Sequence, residues 1–99
     1  MSEAATAAVR SVVLTLLVAG ETAASRSARA NLETLIGEGL ADAASSRVVD
    51  VLVQPDYALR FRAFLTPALI VETGERTTTV VGDLRELDEV RLLIGTQVH

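Results

Sequence analysis

Pro55-Asp56-Tyr57-Ala58-Leu59-Arg60-Phe61-Arg62-Ala63-Phe64-Leu65 is the stretch on which the fold turns, because it fits two templates at once. Tyr57, Phe61, Phe64 and Leu65 recur at helical spacing. Tyr57, Leu59, Phe61, Ala63 and Leu65 also alternate as one strand face, with Arg60 and Arg62 on the other. All three aromatic residues of the chain lie here, so the form this window takes sets much of the packing. Pro55 favours the helix, since proline suits a first helical turn.

The segments on either side read more simply. Residues 1–9 form an alanine-rich, flexible lead-in, and residues 10–99 a single domain. Arg10 to Ala19 is apolar on both parities, as in a strand covered on both faces. Gly20 ends it, and Ser25 or Ser27 is placed to cap a helix with Ala28, Leu32, Leu35 and Ile36 on one side. Gly37 and Gly39 close that helix, Ala41 to Ser46 connects, and Val48 to Val53 forms a second strand, apolar except for Asp50. Strand, helix, strand predicts a right-handed crossover and parallel pairing.

Beyond the window, Ala68–Val71 and Thr77–Val81 are beta-prone runs flanking a polar loop that contains Gly74, which predicts a hairpin. After Gly82, Asp83 and Glu86 make a capping box for a helix whose stripe is Leu84, Leu87, Val90 and Ile94, stopped by Gly95. With the window helical, the order is βαβαββα. This is an α/β thioredoxin-like arrangement around a mixed central sheet, without the cysteine pair of a redox enzyme.

Composition narrows the function. Nine basic residues, all arginine, stand against thirteen acidic ones for a net charge of −4, which disfavours counterion-displacing contact with nucleic acid. The absence of cysteine removes thiolate nucleophiles, disulfides and zinc knuckles. The longest apolar run, Val12 to Ala19, is far short of the roughly 20 residues that span a bilayer. The residues before it lack the positive cluster of a signal peptide. The expectation is a cytoplasmic protein with no membrane or nucleic-acid partner and no cofactor.

Several stretches together resemble the KaiB family of circadian-clock proteins. Leu17-Val18-Ala19-Gly20-Glu21-Thr22 is similar to that family's Val-Ala-Gly-Asn-Thr segment. Val49-Asp50-Val51-Leu52 with Pro55 resembles its Ile-Asp-Val-Leu strand and following proline. Thr66-Pro67 with Leu69 and Ile70, then Gly82-Asp83-Leu84, and finally Leu93-Ile94-Gly95 continue the likeness in order from Arg10 to Gly95. The resemblance implies a metamorphic, non-enzymatic regulator. Its thioredoxin-like form would bind a KaiC-type ATPase, in a circadian-clock-like or stress-response system. Its alternative ground-state fold, βαββααβ with a rearranged second half, would self-associate as a dimer or tetramer. The second reading is a cysteine-free thioredoxin-fold adaptor or sensor module for another signalling protein.

This chain departs from the family pattern at three places. Thr73-Gly74-Glu75 stands where relatives carry a proline-rich stretch, which favours the thioredoxin-like form. Gln97 replaces the aspartate two residues after the closing glycine, a pair that sets the balance between folds in clock proteins. The window before Thr66-Pro67 is rich in arginine and aromatic residues where cyanobacterial proteins tend to be acidic.

The candidate residues follow from both readings. Thr66-Pro67 is expected to be cis and, with Gly95 and Gln97, is a fold-switch candidate. Gly20, Glu21 and Thr22 form a partner-contacting loop rather than a phosphate cradle, since no glycine-rich fingerprint occurs and Glu21 repels anions. Arg60 and Arg62 either meet an acidic partner or form a solvated face. Asp50 has no base, nucleophile or ligand cluster beside it in sequence, so it reads as a structural carboxylate, and Gly74, Gly82 and Asp83 as turn and cap residues. His99 is given no metal role, and no catalytic or metal residue is expected.

Overall fold

Three strands that run the same way and one that runs against them make one sheet in the computed structural model, which describes residues 12–39, 45–63, 65–73, 76–82 and 84. The order along the chain is β1 (Val13–Val18), α1 (Ala23–Gly37), β2 (Ser46–Asp50), α2 (Asp56–Phe61), β3 (Ala68–Glu72) and β4 (Thr77–Val81). Across the sheet it is β2-β1-β3-β4. β2 lies parallel to β1, with Leu16 opposite Val48, while β3 runs antiparallel to β1 and β4 antiparallel to β3. The mixed sheet expected from the sequence is therefore present.

Both faces of the sheet are covered, which is why β1 reads as apolar on both parities. On one face Leu14, Leu16 and Val18 join Leu69 and Val71 beneath Ala28, Leu32 and Leu35 of α1. On the other, Leu17, Val49, Ala68, Ile70 and Ala63 pack with Tyr57 and Phe61 beside α2. Each fully buried leucine contributes about 2–3 kcal/mol by removal from water, so the central pair β1 and β3 dominates the stability.

The cap of α1 differs from the serines expected. Thr22 is the N-cap and its hydroxyl accepts from the Ser25 backbone N–H at 3.1 Å. Ser25 is instead buried one turn inside, where its Oγ accepts from the Ala19 N–H at 3.4 Å. A threonine in extended conformation satisfies the orphan donor of the first turn, and this leaves serine free to tie the helix back to the end of β1.

β2 stops at Asp50, not at Val53. The Asp50 carbonyl accepts from the N–H groups of both Val53 and Gln54, at 3.0 and 2.9 Å, folding residues 51–54 into a turn. The ambivalent window is helical, but only as far as Phe61. Arg62 takes the left-handed conformation (φ 53°), and the Ala63 N–H reaches back to the Ala58 carbonyl at 2.9 Å. That six-to-one bond ends a helix and turns the chain towards β3. Leu65 is consequently exposed instead of lying on a helix face.

The hairpin forms as expected, closed by the Thr73 N–H donating to the Arg76 carbonyl at 2.9 Å. Leu84 is buried against the α1 side of the sheet but has φ 65°, so the final helix does not begin at that residue. The lead-in 1–9, Phe64, Gly74, Asp83, the remainder of the last expected helix, Gly95, Gln97 and His99 lie outside the described residues.

A candidate docking end of the sheet

The topology brings four segments to one end of the sheet: the loop after β1, the turn after β2, the entry to β3 and the exit from β4. Asp50, at the C-terminal end of edge strand β2, joins the first two. Its Oδ1 accepts from the Gly20 N–H at 3.2 Å and from the Leu52 N–H at 2.9 Å. The apparent break in an apolar strand is thus a half-buried carboxylate saturating backbone donors of two separate loops, as a buried polar group must.

Gly20 adopts φ +69°, a conformation that side chains other than glycine enter at a cost. A Cβ there would sit 3.5 Å from Leu52 Cδ1, an ordinary contact, so conformation rather than space demands the glycine. Glu21 is exposed and its carbonyl accepts from Arg26 Nη1 at 2.7 Å. Thr22 donates to Ser25 Oγ at 3.0 Å in addition to capping α1. The Gly20–Thr22 loop is therefore pinned by its own helix and by β2.

The Thr66–Pro67 peptide is cis, and the Pro67 carbonyl accepts from the Gly82 N–H at 2.8 Å, fastening the entry of β3 to the exit of β4. Gly82 has φ +121°. Around this framework stand apolar side chains that nothing covers among the described residues: Leu52, Val53, Leu65 and Val81 are 73, 76, 66 and 56% exposed. Sequence periodicity missed this rim. It placed Leu52 and Val53 inside a strand and Leu65 on a packed face. The available signal was Asp50 itself, a side-chain acceptor two residues before Leu52 and five before Pro55.

Arg60 and Arg62 occupy α2 and its end. Arg60 lies over the Phe61 ring, 4.9 Å from its centroid, and Phe61 packs 6.5 Å from Tyr57. Among the described residues no hydrogen bond joins either arginine to the Gly20–Thr22 loop. Among the same residues no group of three or more His, Cys, Asp or Glu is placed to hold a metal, and no helix is long and apolar enough to cross a membrane.

The fold is shared with solved thioredoxin-like structures. The N-terminal domain of SasA from Synechococcus elongatus matches with a TM-score of 0.69, 18% identity and coverage of 88% of this chain and 82% of that one. Thioredoxin of Fasciola hepatica matches at 0.73, 13% identity and 97% and 89% coverage. In sequence, the circadian clock protein KaiB3 of Synechocystis sp. is 31% identical over 81 residues, covering 82% of this chain and 79% of that protein. The family model described as the KaiB domain matches residues 15–96. That span runs from the central strand through the candidate docking end and on to the Leu-Ile-Gly signature, so the chain belongs to the KaiB family.

Proposed function

We propose that this chain is a non-enzymatic regulator that docks onto a KaiC-type ATPase through the end of the sheet defined by Gly20, Leu52, Leu65 and Val81. The system it serves is circadian-clock-like or stress-responsive. The observation that carries the reading is the exposed apolar rim, which lies within the span that matches the KaiB domain and whose Leu52 side is fixed to Gly20 by Asp50. Exposed apolar groups clustered around a fixed loop are typical of protein docking surfaces. Glu21 and Thr22 form the polar border of the rim, and Arg60 and Arg62 supply cationic contacts beside it.

Membership of a clock-protein family supports a regulatory role, and the absence of cysteine from the sequence removes the chemistry of a thioredoxin. Binding selects the thioredoxin-like form. Any population held in a self-associating ground-state fold, with Thr66, Pro67, Gly95 and Gln97 at the points of rearrangement, lowers the apparent affinity in proportion. The helix–strand ambivalence of Tyr57 to Leu65 supports such an exchange.

The test is size-exclusion chromatography with light scattering against the KaiC-type ATPase of the same organism, mixed for hours to allow slow association. A stoichiometric complex is expected, and Leu52→Ser combined with Val53→Ser is expected to abolish it while leaving thermal stability unchanged, since both side chains are mostly solvated. A folded parent protein that never forms the complex overturns the proposal. A complex indifferent to the double substitution moves the docking surface elsewhere.

A further inference from the structure

On the face of the sheet covered by α1, an open cleft of about 190 Å³ separates that helix from edge strand β2. Its walls are largely aliphatic, from Leu32, Ile36 and Val48, with Arg29 and Glu33 supplying charge. Arg47 also borders the cleft, but its guanidinium is directed to the other face, where Nη1 lies 3.5 Å from the Tyr57 hydroxyl. Arg29 is therefore the cation of this site. Its Nε is buried and has no hydrogen-bond partner among the described residues.

An unpaired buried donor on a permanently charged guanidinium is costly, more so than on a neutral group. Nε and one Nη of arginine present two parallel N–H groups that match the two oxygens of a carboxylate. Glu33, one helical turn from Arg29 and lining the same cleft, repels anions in proportion to their charge and so selects against a dianion such as phosphate. Beyond the charged groups, the lining is the hydrocarbon of Leu32, Ile36 and Val48, with Ser46 at the β2 edge. We propose that the cleft between α1 and β2 is a binding site for a small monocarboxylate with a short aliphatic body, anchored on Arg29 and seated against Leu32, Ile36 and Val48.

Hexanoate titrated into the ¹⁵N-labelled full chain, followed by amide and arginine Nε–H chemical shifts, tests this. Saturable shifts confined to Arg29, Leu32, Ile36 and Val48 are expected, with half-saturation on the order of millimolar for so small a ligand. Arg29→Gln is expected to weaken binding about tenfold and Glu33→Gln to tighten it a few-fold. Shifts that stay linear or spread over the surface overturn the proposal, as does an Arg29→Gln variant that binds like the parent. An equal response to 1-hexanol removes the guanidinium as anchor, and displacement of hexanoate by inorganic phosphate removes the selection for a monoanion. The Glu33→Gln arm does not depend on Arg29→Gln folding normally.

Discussion

Replacing Asp50 with alanine should loosen two loops at once. The carboxylate accepts from Gly20 N–H, which is partly buried, and from Leu52 N–H, which is exposed. A hydrogen bond to a charged group contributes about 1.5–3 kcal/mol when shielded, and a solvated one nearer 0.5–1 kcal/mol. The exposed bond resembles a helix-cap contact, whose removal typically costs about 1 kcal/mol. The two together give an expected loss of about 2–4 kcal/mol for Asp50→Ala, a large share of the roughly 5–15 kcal/mol available to a domain of this size. Asp50→Asn keeps an acceptor in place but loses the charge, and about 1 kcal/mol is expected. Urea unfolding followed by far-ultraviolet circular dichroism measures both, with an unchanged m-value showing that the difference belongs to the folded state. In thermal unfolding the alanine variant should melt roughly 8–30 °C lower. Amide exchange adds a local readout: Gly20 N–H should lose protection in the alanine variant and retain part of it in the asparagine variant. A loss under about 0.5 kcal/mol for Asp50→Ala, with Gly20 still protected, would refute the view that this carboxylate holds the end of the sheet together.

Three further outcomes follow from individual backbone positions. Arg62→Gly should stabilise the protein by about 0.5–1 kcal/mol, because glycine enters the left-handed conformation at the end of α2 without the penalty arginine meets, as chemical denaturation can show. Gly20→Ala should destabilise by about 1–2 kcal/mol through φ +69° alone; a much larger loss in the same assay would mean that the contact with Leu52 is tighter than 3.5 Å. Thr22→Ala should cost about 1 kcal/mol and Thr22→Ser much less, measured as shifts in melting temperature, because the hydroxyl rather than the methyl caps α1.

Most of the scaffold was legible in the residues themselves. The two-sided apolar run ending at Val18 can be satisfied only between covering layers, and the spacing of Ala28, Leu32 and Leu35 supplies one of those layers. The runs Ala68–Val71 and Thr77–Val81 declare a hairpin because their residues favour strands and the loop between them does not. What periodicity could not locate were boundaries set by single side chains or by unusual backbone angles. Val51, Leu52 and Val53 look like strand, yet Asp50 folds them into a turn by accepting from their neighbourhood's donors. Nothing in Arg62 announces a left-handed residue, so the helix expected to include Leu65 stops short of it. At the docking end, the loop Gly20–Thr22 was visible as a break in pattern. The rim of Leu52, Val53, Leu65 and Val81 was hidden, because hydrophobic side chains are assumed to be buried until the chain's turns are known.

The pairing order of the sheet also bears on how the protein emerges from the ribosome. β1 can pair with β2 once Asp50 has left the ribosome, but its other edge waits for β3, which is complete only at Glu72, about twenty residues later. At synthesis rates of about 5–20 residues per second, that interval lasts on the order of one to four seconds. Throughout it, Val-Leu-Thr-Leu-Leu-Val presents a row of open backbone donors and acceptors with hydrocarbon on both sides, a composition prone to pairing with the wrong strand. The nascent chain is therefore most vulnerable to aggregation after the first crossover has formed and before the hairpin arrives. Slowing the emergence of residues 51–72 would lengthen that exposure, whereas a delay after Val81 has emerged would not.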